Sequence, residues 1–235
     1  VRSAGLTHVA IVPSAPILVP ELASGAAVEL ADLTAAVRCA AQDLPSRWVA
    51  IGVGPQDDRV PADAAGTFAG YGADVRVAFS PDLPGEVRPL PLCALIAGWL
   101  RGSVNAGATV DVRVYAADMA PEVAIERGRV LRGELDAAAD PVGVLVVADG
   151  ANTLTAAAPG GFEPDSVARQ AQWDDALAAG DVAAIAGLSG ALGRVAYQLL
   201  AGLAGPDPKA TELYRGAPYG VGYFVGTWTP AGSPQ

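Results

Sequence analysis

The chain alternates between short, nearly unbroken apolar runs and longer stretches whose apolar residues recur at helical spacing. Leu6–Val12, Trp48–Val53 and Pro141–Ala148 (PVGVLVVA) are the apolar runs, each bounded by Pro, Gly or Asp. Such runs predict strands buried on both faces. Asp74–Phe79 and Thr109–Ala116 alternate with period two and predict two further strands. Ala26–Leu44, Leu90–Val104, Pro121–Ala138, Pro164–Ala179 and Ala191–Leu203 predict helices. Pro121 stands in a first turn, where a missing N–H leaves nothing unpaired. Asp165 is expected to cap the fourth of these helices. Gly180-Asp181 reads as a C-cap glycine followed at once by the N-cap of a short extra helix. Glu212–Tyr214 and Val221–Thr227 predict terminal strands around a Gly/Pro loop, Arg215–Gly220.

Strands and helices that alternate in this way predict a single α/β domain over residues 1–229. Its central sheet should be mostly parallel or mixed, with helices on both faces, and residues 230–235 should form a flexible tail. No internal repeat is visible, and the abundance of alanine reflects helix preference.

Composition narrows the class. Hydrophobic residues make up 51% and charged residues 17% of the 235, enough for a sizeable core. The net charge of −10 and the absence of Lys/Arg clusters argue against a nucleic-acid or anionic-membrane partner. No apolar run approaches the ~20 residues of a membrane span, and no basic segment precedes a long apolar one at the start. A cytoplasmic location is therefore expected. Cys39 and Cys93 lack metal or redox spacing and are expected to be buried free thiols.

In open α/β sheets, ligands lie beyond the carboxyl ends of the strands. Three loops qualify: Pro13–Pro20, Gly54–Arg59 and Asp149–Thr155. They bring Ser14, Gln56, Asp57, Asp58, Asp149 and Asn152 as candidate pocket residues, with Tyr219 on a loop able to close the same region. Asp and Asn after strands also make turns through their own backbone, so a turn role stands beside each of these assignments.

Four segments carry a family likeness: Ile11–Leu22 (IVPSAPILVPEL), Ala148–Pro159 (ADGANTLTAAAP), Gly180–Leu188 and Leu213–Val225 (LYRGAPYGVGYFV). Together they resemble the class III extradiol ring-cleavage dioxygenases and their Memo-like relatives. The resemblance implies that family's α/β fold. In the family, Fe(II) or another divalent metal is held by two His and a carboxylate, and a further His moves the catechol proton. At the matching positions this chain has Ser14 and Gln56 for the metal-binding histidines and Asn152 for the acid/base histidine. Asp149 is kept, and no carboxylate occurs between Asp181 and Asp207. The one histidine, His8, lies inside a predicted strand. Neutral Ser, Gln and Asn are poor ligands for Fe(II) and cannot shuttle protons as imidazole does. The expectation is a divergent member without a metal cofactor and without ring cleavage, whose remnant pocket binds a small molecule or a partner protein. Two alternatives stand beside it. One is a metal-independent enzyme using Asp149, Asp57 or Asp58 as base and Ser14 or Tyr219 as donor. The other is a subunit of a homo-oligomer or larger assembly, with Val221–Thr227 as an edge contact, although the pattern favours an internal strand for that segment.

Overall fold

The computed structural model describes residues 5–23, 25, 28–82 and 85–231. A seven-stranded mixed sheet forms its centre. The strands are β1 (Gly5–Val12), β2 (Arg47–Gly54), β3 (Asp58–Val60), β6 (Thr109–Ala116), β7 (Pro141–Val147), β8 (Lys209–Gly216) and β9 (Tyr223–Thr229). They lie in the order β3-β6-β2-β7-β1-β9-β8. The inner four, β6, β2, β7 and β1, run parallel, and β3, β9 and β8 add antiparallel margins. β7 lies in the middle of the sheet and is buried from Val142 to Val147, which is why its sequence is apolar without alternation.

Helices cover both faces. On one face, Ala10 and Val12 of β1, Ala50 of β2 and Leu145 and Val147 of β7 pack against α2 (Ala31–Gln42) and α3 (Leu92–Val104). On the other, Val9 and Ile11, Val49 and Ile51, and Val144 and Val146 meet α4 (Pro121–Asp136), α5 (Pro164–Ala179), α6 (Val182–Gly187) and α7 (Arg194–Ala204). Successive residues of one strand thus feed opposite cores, as the pleat requires. A short helix, α1 (Pro20–Ala23), follows the β1 loop.

Two helices cross closely through glycine. A methyl group on Gly128 of α4 would lie 2.1 Å from the carbonyl oxygen of Leu199, and one on Gly202 of α7 would lie 2.0 Å from that of Ile125. Backbone therefore meets backbone at the α4–α7 crossing, and no larger residue fits.

Several details differ from the sequence reading. Asp74–Phe79 does not join the central sheet. Its core, β5 (Arg76–Ala78), pairs with β4 (Ala65–Thr67) in a separate ribbon. The reason lies in α3, whose residues Cys93–Arg101 are all buried. A helix that is apolar all round needs cover on its outer side too, and Val77 and Phe79 supply it next to Gly98. The loop Gly54–Arg59 runs into strand β3. α5 starts at Pro164 with Glu163 in the cap position, so Asp165 sits in the first turn and does not cap. Gly180 does adopt the left-handed conformation, and Asp181 caps α6 through Ala184 N–H at 2.9 Å. Cys93 is buried but Cys39 is exposed, and both thiols are free. The Val221–Thr227 segment corresponds to β9, an internal strand flanked by β1 and β8 as its sequence favours, and the outer margin is β8. Of the expected tail, Pro230 is buried and residues 232–235 lie outside the described residues. Among the described residues, no helix is long and apolar enough to cross a membrane.

Candidate functional site

The chain leaves β1 toward β2 and β6 with α2 and α3 on one face, then returns to β7 through α4 on the other. β7 enters between β1 and β2, and the carboxyl ends of all four parallel strands converge where the direction of winding changes. That place favours a cavity, and one of about 350 Å3 is found there. Ser14 follows β1, Val53, Gly54 and Pro55 end β2, Ala117 follows β6, and Val147, Ala148 and Asp149 end β7. Leu92 at the start of α3 and Leu192-Gly193 before α7 complete the lining. The walls are apolar, and the side chains of Ser14 and Asp149 are the polar ones.

Asp149 is held by its surroundings. Its Oδ1 accepts the backbone N–H of Ser14 at 2.7 Å, joining the ends of β1 and β7. Its carbonyl accepts from Gly193 N–H, and the Gly150 carbonyl accepts from Leu192 N–H. Gly150 N–H donates to Gly222, and Ala151 N–H donates to the side chain of Gln170 at 2.8 Å. Tyr197, fully enclosed in the core, donates its hydroxyl to the Ala148 carbonyl. Gly193 has to be glycine because an added methyl would meet Ala148 Cβ at 2.4 Å. The loop is therefore preorganised, with its backbone committed and the carboxyl left at the cavity.

No cation is paired with this carboxyl among the ion pairs of the described residues. Burial pushes its pKa from 3.8 up to about 7, and the Ser14 N–H offsets only part of that rise. The negative charge it carries when ionised helps, after burial itself, to raise the hydroxyl pKa values of Tyr197 and Tyr223. A carboxyl poised near neutrality can donate or accept a hydrogen bond, or move a proton.

The remaining sequence candidates lie elsewhere. Gln56 is exposed and outside the cavity lining. Asp57 accepts from Ala116 N–H at 2.9 Å and approaches Arg127, fastening the end of β2 to β6. Asp58 sits in β3 and accepts from Arg59 N–H. Asn152 is partly buried, and its carbonyl accepts from Gly160 N–H within its own loop. Tyr219 is half exposed with a φ of 59°, and its hydroxyl donates to Glu29 at 3.0 Å. The structure thus brings Ser14 and Asp149 together and leaves Gln56, Asp57, Asn152 and Tyr219 off the lining. The sequence carries no polar signal at Leu92, Ala117 or the β2 end residues Val53 and Pro55, which also line the cavity. Ala117 was open to the same argument as the others, since it directly follows the predicted strand Thr109–Ala116.

The donor set does not suit a catalytic Fe(II). One hydroxyl and one carboxylate line the cavity where two imidazoles and a carboxylate would be needed. No group of three or more His, Cys, Asp or Glu able to hold a metal occurs among the described residues. His8 is exposed on β1, six residues or about 20 Å of extended chain before Ser14.

The chain matches no protein-family model and no curated protein. Its fold is similar to that of an uncharacterised protein of Escherichia coli known from a crystal structure. The TM-score is 0.54 and the identity 12%, over 94% of this chain and 99% of the other. At that identity the likeness concerns the fold alone.

Proposed function

We propose that this chain is a class III extradiol dioxygenase-like protein that has lost ring cleavage, and that its strand-end cavity binds a small, mostly apolar hydroxylated molecule without metal. The observation that carries the reading is Asp149: a positioned, unpaired carboxyl with a pKa of about 7, beside Ser14 in an otherwise apolar cavity. The four segments resembling that family support the scaffold, and Ser14, Gln56 and Asn152 at its histidine positions support the loss of metal chemistry. A cavity of about 350 Å3 suits one aromatic ring with its substituents. A ring would lie against Val53, Leu92 and Leu192. Its hydroxyl would exchange hydrogen bonds with Asp149 and Ser14 Oγ, for which the structure gives no partner among the described residues.

Calorimetric titration with catechol and phenol in the presence of a chelator tests this. The expected result is saturable 1:1 binding that weakens about tenfold in Asp149→Asn, the scale of one lost hydrogen bond to a charged or ionisable group. Binding that appears only when Fe(II) is added would overturn the reading.

The near-neutral carboxyl also favours a second reading, metal-independent proton transfer with Asp149 as base. It requires turnover of some hydroxylated substrate with a rate that rises through pH 7. An activity that persists unchanged in Asp149→Asn would remove it.

A further inference from the structure

A second cavity, of about 470 Å3, lies between α5, the end of β8 and the Leu154-Thr155 segment. Asp174 of α5 lines it and is only 8% exposed. Its Oδ1 accepts from Gln170 Nε2 at 2.8 Å, and Oδ2 takes no hydrogen bond from the described residues. Arg215 also lines the cavity, but its guanidinium is committed elsewhere. Nη1 donates to Asp175 at 2.7 Å, and Nε and Nη2 donate to Glu212. Three carboxylates, Asp174, Asp175 and Glu212, thus face one cation. The remaining walls include apolar Leu154, Val167, Ala171 and Ala217.

We propose that this cavity binds a small organic ammonium ion, whose N–H groups donate to Asp174 Oδ2 while its apolar body lies against Leu154, Val167 and Ala171. Arg215 acts on Asp174 through space, without an ion pair or hydrogen bond between them among the described residues, and an ammonium ligand would bring a closer charge and N–H donors to the free oxygen. The surplus of negative charge disfavours an anion. A metal ion would find a single carboxylate among the residues lining the cavity, far short of a ligand shell. The apolar walls favour an alkyl or aralkyl ammonium over a bare one. Burial lifts the Asp174 carboxyl to about 6 against the Gln170 hydrogen bond and the Arg215 charge, which leaves it ionised at neutral pH.

This site is separate from the strand-end cavity, and the experiment keeps the two apart. Phenethylammonium and its neutral counterpart 2-phenylethanol are titrated calorimetrically near pH 7.5 into the natural protein, Asp174→Asn, Ala171→Trp and Asp149→Asn. Asn at 174 keeps an oxygen for Gln170, and Ala171 is exposed, so neither variant disturbs the core. One ammonium should bind per chain, and the alcohol should bind about tenfold more weakly. Asp174→Asn should weaken the ammonium by about tenfold or more, Ala171→Trp should block it, and Asp149→Asn should leave it unchanged. No binding at millimolar ammonium, equal binding of the alcohol, or loss in Asp149→Asn with retention in Asp174→Asn would each overturn the proposal.

Discussion

Replacing Asp149 by Asn should make the protein more stable at alkaline pH than the natural chain, and by an amount that depends on pH. The carboxyl has an ordinary pKa of 3.8 when unfolded and about 7 when folded. Because the folded value is the higher, the native state binds more protons than the unfolded state between those limits, and stability falls as pH rises through them. At 1.36 kcal/mol per pH unit, the gap between the two values corresponds to roughly 4 kcal/mol, of which roughly 3 should be lost between pH 4.5 and 8. Asn carries no such penalty and still offers an oxygen to Ser14 N–H. Asp174, also raised to about 6, contributes a loss of the same sign, but it is present in both proteins and cancels in their difference. Urea unfolding of both proteins at intervals from pH 4.5 to 8.5 gives that difference directly. The variant should gain on the natural chain with rising pH and level off above pH 7. A difference that stays flat, or that moves the other way, would refute the picture of a half-buried carboxyl with no ion-pair partner among the described residues.

Gly128→Ala or Gly202→Ala should each destabilise the protein by about 3 kcal/mol in the same assay, since the new methyl meets a carbonyl oxygen at the α4–α7 crossing. A cost near zero would mean that the helices can separate freely. Asp181→Ala should cost about 1 kcal/mol through loss of the α6 cap, with the melting temperature as readout. In native protein at pH 8, Cys39 should be alkylated while Cys93 is spared, because Cys39 is exposed and burial pushes the Cys93 thiol up to about 12. Peptide mass mapping before and after unfolding reads both thiols.

The inner strands β1, β2 and β7 were legible in the sequence because they are apolar enough to be buried on both faces, whereas β3, with two of its three residues exposed, reads as loop. Thr109–Ala116 and Pro164–Ala179 appear with the ends read from pattern alone, marked by alternation in one and by proline and glycine in the other. The ribbon of β4 and β5 was not legible. Asp74–Phe79 alternates like any sheet strand, and only the packing of an all-apolar α3 decides where it goes. The site was legible in part. The rule that ligands lie at strand ends found Ser14 and Asp149, but it could not separate residues that face the cavity from those that fasten loops. Asp57 shares the carboxyl and strand-end position of Asp149 yet accepts from Ala116 N–H, and Asn152 shares the loop of Asp149 while its backbone carbonyl accepts from Gly160 N–H; residue type encodes neither partner. The apolar partners of the site, such as Leu92 and Leu192, look like any other core residue in the sequence.

The most direct measurement is the pH titration of the Asp149 carboxyl carbon by NMR, assigned through Asp149→Asn, in chelator-treated protein with and without saturating catechol. The account predicts a midpoint near 7 in the free protein and a displaced midpoint when catechol is bound. A midpoint near 3.8 that catechol leaves in place would contradict it.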